Sequence, residues 1–80
     1  MKLEIITPEK SLFEGKVKLV QVPGAKGSFE VLKNHAPIIS TLVEGKIKVI
    51  TESDKVEYID ILSGTIEVKA NTITILAVTG

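Results

Sequence analysis

Three places in this chain have residue types that could do chemistry: the single histidine, a lysine between two glycines, and a lysine in an acidic turn. His35 could serve as a general base or a metal ligand. A base needs a positioned partner acid, and no carboxylate stands at a recognisable spacing from His35. With no cysteine and no second histidine, a Cys–His pair and a multi-histidine metal centre are excluded. The bland role of such a histidine is to organise its own loop through a backbone hydrogen bond. Gly24-Ala25-Lys26-Gly27-Ser28 lacks the phosphate-loop spacing, in which a Gly-Lys-Ser/Thr run opens a helix. It reads as a glycine turn carrying a solvated lysine.

The ten acidic residues are scattered. Several alternate with apolar neighbours, as in Val56-Glu57-Tyr58 and Ile66-Glu67-Val68, which marks solvated strand faces rather than an acid/base pair. Lys16, Lys18, Lys46 and Lys48 alternate in the same way, and protection of edge strands is the reading they support. Phe13, Phe29 and Tyr58 are the only aromatic residues, too few for a platform on which nucleic-acid bases would stack.

The elements that must position these residues are strands. Val, Ile and Thr make up roughly a third of the chain, the enrichment expected of β structure. Residues 2–7 alternate and stop at Pro8. Residues 11–15 and 16–22 read as two short strands. The second shifts its apolar phase between Leu19 and Val20, the sign of a bulge or of burial on both faces. Residues 22–37 concentrate two prolines, two glycines and His35 around the short apolar alternation of Phe29 and Val31. Such a cluster specifies two shaped loops, and shaped loops on a rigid sheet are where binding usually sits. Residues 38–43, 45–51, 56–62, 65–70 and 72–78 complete the pattern. Eight to ten short strands with frequent turn signals predict an all-β sandwich or small barrel, in one domain spanning residues 1–80.

Composition bounds the function. Eighty residues allow one modest core, and 44% hydrophobic content is ample to fold it. Ten basic residues balance ten acidic ones, which argues against a nucleic-acid sleeve or a polybasic membrane anchor. Near-zero net charge suits a subunit that stays docked on a protein partner. The first residues, Met1-Lys2-Leu3-Glu4-Ile5-Ile6, carry no targeting pattern, and no apolar run reaches the roughly 18 residues of a membrane helix. A cytoplasmic location follows, with membrane association only through a partner.

Two family resemblances can be weighed. Glu52-Ser53-Asp54-Lys55-Val56 resembles the hairpin turn of lipoyl carrier domains, which would make Lys55 the modified residue. That similarity covers five residues, and residues 22–37 have no counterpart in the second half, whereas lipoyl domains reflect two similar halves. By contrast, Val22-Pro23-Gly24-x-x-Gly27, an apolar strand and then His35-Ala36-Pro37 strongly resemble the ε subunit of F-type ATP synthase. Thr7-Pro8-Glu9-Lys10 with Phe13 and Gly15, Leu62-Ser63-Gly64 with Ile66-Glu67-Val68, and Asn71-x-x-Thr74-Ile75-Leu76-Ala77 extend the resemblance over nearly the whole chain.

That resemblance implies a ten-stranded β-sandwich of two packed sheets. It implies a non-catalytic subunit with no cofactor, bound to the γ subunit and the c ring in the rotor that couples ion flow to ATP synthesis. Its place would be the cytoplasmic face of the bacterial inner membrane, peripheral, as part of F1. By carry-over, Lys26, Ser28 and Glu30 face the c ring, while His35, Pro37, Ile38, Ile39 and Thr41 lie towards γ. The family often has an acidic residue where Ser28 stands and glycine where Glu30 stands, so Glu30 would supply the acidic charge from a neighbouring position. Strand alternation sends Ile38 and Ile39 to opposite faces, one anchor and one core. Family members typically continue into two carboxy-terminal helices that restrain hydrolysis. This sequence ends at Ala77-Val78-Thr79-Gly80, so the expectation is a coupling subunit without a carboxy-terminal helical hairpin.

Overall fold

Branching at Cβ restricts side-chain rotation and suits the pleated surface of a sheet. In the computed structural model, which describes residues 1–80, the chain accordingly forms eight strands and no helix. They are β1 (Lys2–Ile6), β2 (Ser11–Val22), β3 (Phe29–Leu32), β4 (Ile38–Leu42), β5 (Gly45–Thr51), β6 (Val56–Ile61), β7 (Ser63–Lys69) and β8 (Thr72–Val78). They join in one hydrogen-bonded sheet of order β4-β7-β8-β1-β2-β5-β6, with β3 added beside β2. All neighbours are antiparallel except β1 and β8, which run parallel.

The all-β expectation holds, and the strand count is eight instead of ten. Residues 11–15 and 16–22 form the single twelve-residue β2 because nothing at Gly15-Lys16 turns the backbone. The first half of β2 pairs with β1 and its second half with β3 and β5. The two expected layers are therefore two halves of one sheet, curled about β2 into a half-barrel. The curl has a visible cause: the β2–β5 register slips between Val17 and Leu19. An extra residue in one strand bends it and raises its twist. The apolar phase shift in the sequence has its origin there.

Curling brings the inner faces of both halves onto one core. Fifteen apolar residues fill it, among them Leu3, Ile5, Val20, Ile47, Ile66 and Ile75, all with no exposed surface. Each such side chain is worth about 1.5–3 kcal/mol of burial. No polar side chain is buried, and no buried side-chain polar atom lacks a partner.

The lysine expectation needs correction. β2 and β5, which carry Lys16, Lys18, Lys46 and Lys48, are interior strands, and the edges are β3, β4 and β6. Lys18 instead pairs with Asp54 at 2.6 Å and Lys46 with Asp60 at 2.7 Å, both on the surface. Edge protection comes from other residues. Pro37 precedes β4, and a Gly24–Leu42 bridge covers its far end. On β6, Glu57 lies opposite buried Val49 and so stands on the inward side of the edge, a charge that discourages another strand from adding.

The half-barrel has two ends. One gathers residues 23–28, the last residues of β4, the start of β5 and the β6–β7 junction, tied by Val43 N–H to Pro23 O at 2.9 Å and Leu62 N–H to Val78 O at 2.8 Å. The other gathers the amino terminus, residues 33–37 and the β5–β6 and β7–β8 turns. There Lys2 N–H donates to Asn71 O at 3.0 Å, and the terminal ammonium lies 3.9 Å from Glu52.

Candidate docking surface

Residues 23–28 form a loop shaped by its backbone. Gly27 N–H donates to Gly24 O at 3.0 Å, and Ala25 N–H donates to Thr41 O at 2.9 Å. Gly24 is buried under this turn, and a Cβ there would come within 2.6 Å of Gly27 O and 2.9 Å of the Phe29 ring. Gly27 takes φ of 125°, a conformation that side chains oppose. The consequence is a tight turn that holds Lys26 and Ser28 out in solvent. Glu30 is not in the loop: it lies on β3, exposed, opposite Gln21 of β2. Lys26, Ser28 and Glu30 thus share one end and are all accessible. Glu44, exposed between Val43 and Gly45 at the same end, escaped the sequence reading because nothing local distinguishes it from any solvated glutamate.

Residues 33–37 are shaped by side chains. Asn34 takes φ of 66°, and its N–H donates to Asn71 Oδ1 at 2.8 Å. Asn71 Nδ2 donates back to Asn34 Oδ1 at 3.1 Å. Asn71 can reach because it sits in the two-residue β7–β8 turn, where Ala70 and Asn71 both have positive φ, as a type I′ turn requires. His35 Nδ1 lies 2.7 Å from Ala36 O. A carbonyl only accepts, so Nδ1 is the donor. This hydrogen bond agrees with the loop-organising role expected for the histidine.

The structure divides the residues expected to face one partner. His35 and Pro37 sit at the Asn71 end. Ile38 packs partly against the core opposite Val68, whereas Ile39, opposite Glu67, is 77% exposed. Alternation places one inside and one outside, as expected, and the pairing decides which. Thr41 lies at the other end, tied to Ala25. Ile39 and Thr41 belong to the outer face of β4, β7, β8 and β1, which also presents Leu76 and Val78, each about half exposed. A shallow apolar groove runs there between Ile6, Pro8, Thr41, Thr65, Leu76 and Val78. The sequence reading did not single out Leu76 and Val78, because only the strand register groups them beside Ile6.

No group of three or more potential metal ligands exists in the fold. Lys55 is exposed in the β5–β6 turn, whose shape comes from Thr51: its Oγ1 accepts from Lys55 N–H at 3.0 Å and lies 3.0 Å from Ser53 Oγ. Asp54 in the same turn is engaged by Lys18. The turn is a self-contained solvated hairpin, and nothing around it favours the lipoyl reading.

Comparison with known proteins gives consistent matches. The family model described as ATP synthase, delta/epsilon chain, β-sandwich domain matches residues 1–79. An ATP synthase epsilon chain of Caulobacter vibrioides is 43% identical over 77 residues, covering 96% of this chain and 88% of that relative. The epsilon chain of Leptospira borgpetersenii is 42% identical over 76 residues, covering 95% of this chain. This chain spans only 59% of that relative's length. Among solved structures, a chain of the Euglena gracilis mitochondrial ATP synthase, in a structure of its OSCP, F1 and c-ring, superposes with a TM-score of 0.89 at 20% identity, over 95% of this chain and 49% of that one. A chain from the central stalk and c-ring of the Tetrahymena thermophila enzyme gives 0.80 at 20% identity, over 98% of this chain and 63% of that one. These structural likenesses speak to the fold.

Proposed function

We propose, from the fact that this chain belongs to the delta/epsilon β-sandwich family of ATP synthase, that it is a non-catalytic subunit of the central rotor stalk, binding γ and the c ring. The observation that carries this reading is the family match along residues 1–79. The physical demands of the role fit what the chain offers. A rotor coupling element must be stiff, and a sheet curled on a single fifteen-residue core supplies stiffness. It must also grip two partners, and the half-barrel has a solvated loop end and an outer face that exposes Ile39, Leu76 and Val78. Membrane association would be indirect, at the face of the membrane where F1 sits, which in bacteria is the cytoplasmic one.

Within this reading, Lys26, Ser28 and Glu30 meet the polar loops of the c ring. Ile39 and Thr41 meet γ through the outer face of β4. His35 and Pro37 border that face at its Asn71 end, and Ile38 supports it from the core side. Glu30, exposed on β3 behind the loop, supplies acidic charge near the position where the family often carries it.

The test is assembly. Co-expression of this chain with γ and the c ring of its own organism should yield a complex that survives copurification. Glu30→Lys should lower retention on the ring several-fold while leaving the chain bound to γ. Failure of the wild-type chain to copurify with γ would contradict the rotor assignment, and unchanged ring retention in the variant would remove Glu30 from the contact.

A further inference from the structure

The outer face of β7, β8, β1 and β2 carries its charges in rows. Lys69 lies opposite Thr72, Thr72 opposite Lys2, and Lys2 opposite Lys16. Two residues further along each strand, roughly 7 Å away, Glu67 lies opposite Thr74, Thr74 opposite Glu4, and Glu4 opposite Glu14. Their chain neighbours Leu3, Val68 and Ile73 are buried, so both rows face outward. Like charges directly opposite each other across a ladder are destabilising, and this sheet has two such pairs side by side, Lys2–Lys16 and Glu4–Glu14. None of the six charged residues takes part in the ion pairs of the structure, which join Lys18 to Asp54, Lys46 to Asp60 and the amino terminus to Glu52.

We infer that this face pairs with the same face of a second copy of the chain. A two-fold axis lying in the face, parallel to the rows and midway between them, reverses the strand direction and keeps every strand in its own column. It sets Lys69 over the copy's Glu67, Lys2 over the copy's Glu4 and Lys16 over the copy's Glu14, with Thr72 over the copy's Thr74. Every like-charged neighbour then gains an opposite charge, and no column is mismatched. A two-fold axis parallel to the strands would set each row against itself, so the charge pattern selects one of the two face-to-face arrangements. At the β4 border, Ile39 shares a groove with Pro37, Glu67 and Lys69. The same rotation carries the copy's Pro37 towards Ile39, covering the most exposed large apolar residue of the chain. Solvated ion pairs are individually weak, so the dimer is a low-salt, high-concentration state.

Sedimentation equilibrium of the isolated chain tests this. The wild type should dimerise at low salt, and its dissociation constant should rise about tenfold or more from ~10 mM to ~150 mM ionic strength, as the Debye length shrinks from about 30 Å to about 8 Å. Lys2→Glu with Lys16→Glu makes both rows mainly acidic, and Glu4→Lys with Glu14→Lys makes both mainly basic. Each double variant alone should lose self-association at least tenfold. An equimolar mixture of the two should form a heterodimer, because each row then meets its opposite. Circular dichroism checks that both remain folded, and the mixture separates lost charge matching from lost structure. A wild type that stays monomeric at low salt, a double variant that dimerises like the wild type, or two folded variants that ignore each other would each overturn the inference.

Discussion

The two loops that flank β3 are held in opposite ways. Residues 23–28 are fixed by backbone: a buried glycine, a second glycine at positive φ and main-chain hydrogen bonds from Ala25 N–H to Thr41 O and from Val43 N–H to Pro23 O. Residues 33–37 are fixed by side chains: the reciprocal Asn34–Asn71 pair and the His35 ring on its neighbour's carbonyl. A backbone-held loop leaves its side chains free, so Lys26 and Ser28 can vary without disturbing the turn. A side-chain-held loop has little freedom to exchange Asn34 or His35. The difference suits a loop whose surface chemistry adapts to a partner at one end and a fixed corner at the other.

The largest expected effect breaks the first loop. Gly24→Ala sets a methyl within 2.6 Å of a carbonyl oxygen and against the Phe29 ring, an overpacking that should cost about 2–3 kcal/mol in denaturant unfolding. Lys26→Ala in the same loop should change stability by less than about 0.5 kcal/mol. Breaking the second loop costs less. Asn71→Gly keeps the positive φ of the turn yet removes both bonds to Asn34, which should cost about 1–2 kcal/mol and accelerate amide exchange at Asn34. His35→Ala removes one exposed hydrogen bond and should cost about 0.5–1 kcal/mol. If Asn71→Gly proved neutral while His35→Ala did not, the corner would be held by the histidine alone.

Much of the sheet was legible in the sequence because alternation of period two is a local signal. The phase slip at Leu19-Val20 marked the bulge beside Val17, and the parity of Ile38 and Ile39 marked one as inward. What escaped depends on partners distant in sequence. The lysines of β2 and β5 looked like edge guards because a strand's neighbours cannot be read from its own residues, and only the order of the sheet makes them interior. The Asn34–Asn71 pair joins residues 37 apart, and the parallel β1–β8 ladder joins the two ends of the chain. The two charge rows need the register of four strands, of which β1 and β2 are far from β7 and β8 in sequence. The glycines at 24 and 27 pointed to a shaped loop, while the apolar outer face beside Thr41 became visible only when Ile6, Leu76 and Val78 were brought together.

The proposed division of the surface between two partners is tested most directly by site-specific photo-cross-linking in the assembled complex, with a photoreactive residue placed at Lys26 in one preparation and at Ile39 in another. The rotor reading predicts a c-subunit adduct from position 26 and a γ adduct from position 39. The reverse pattern, or an adduct from neither position in an intact complex, would contradict it.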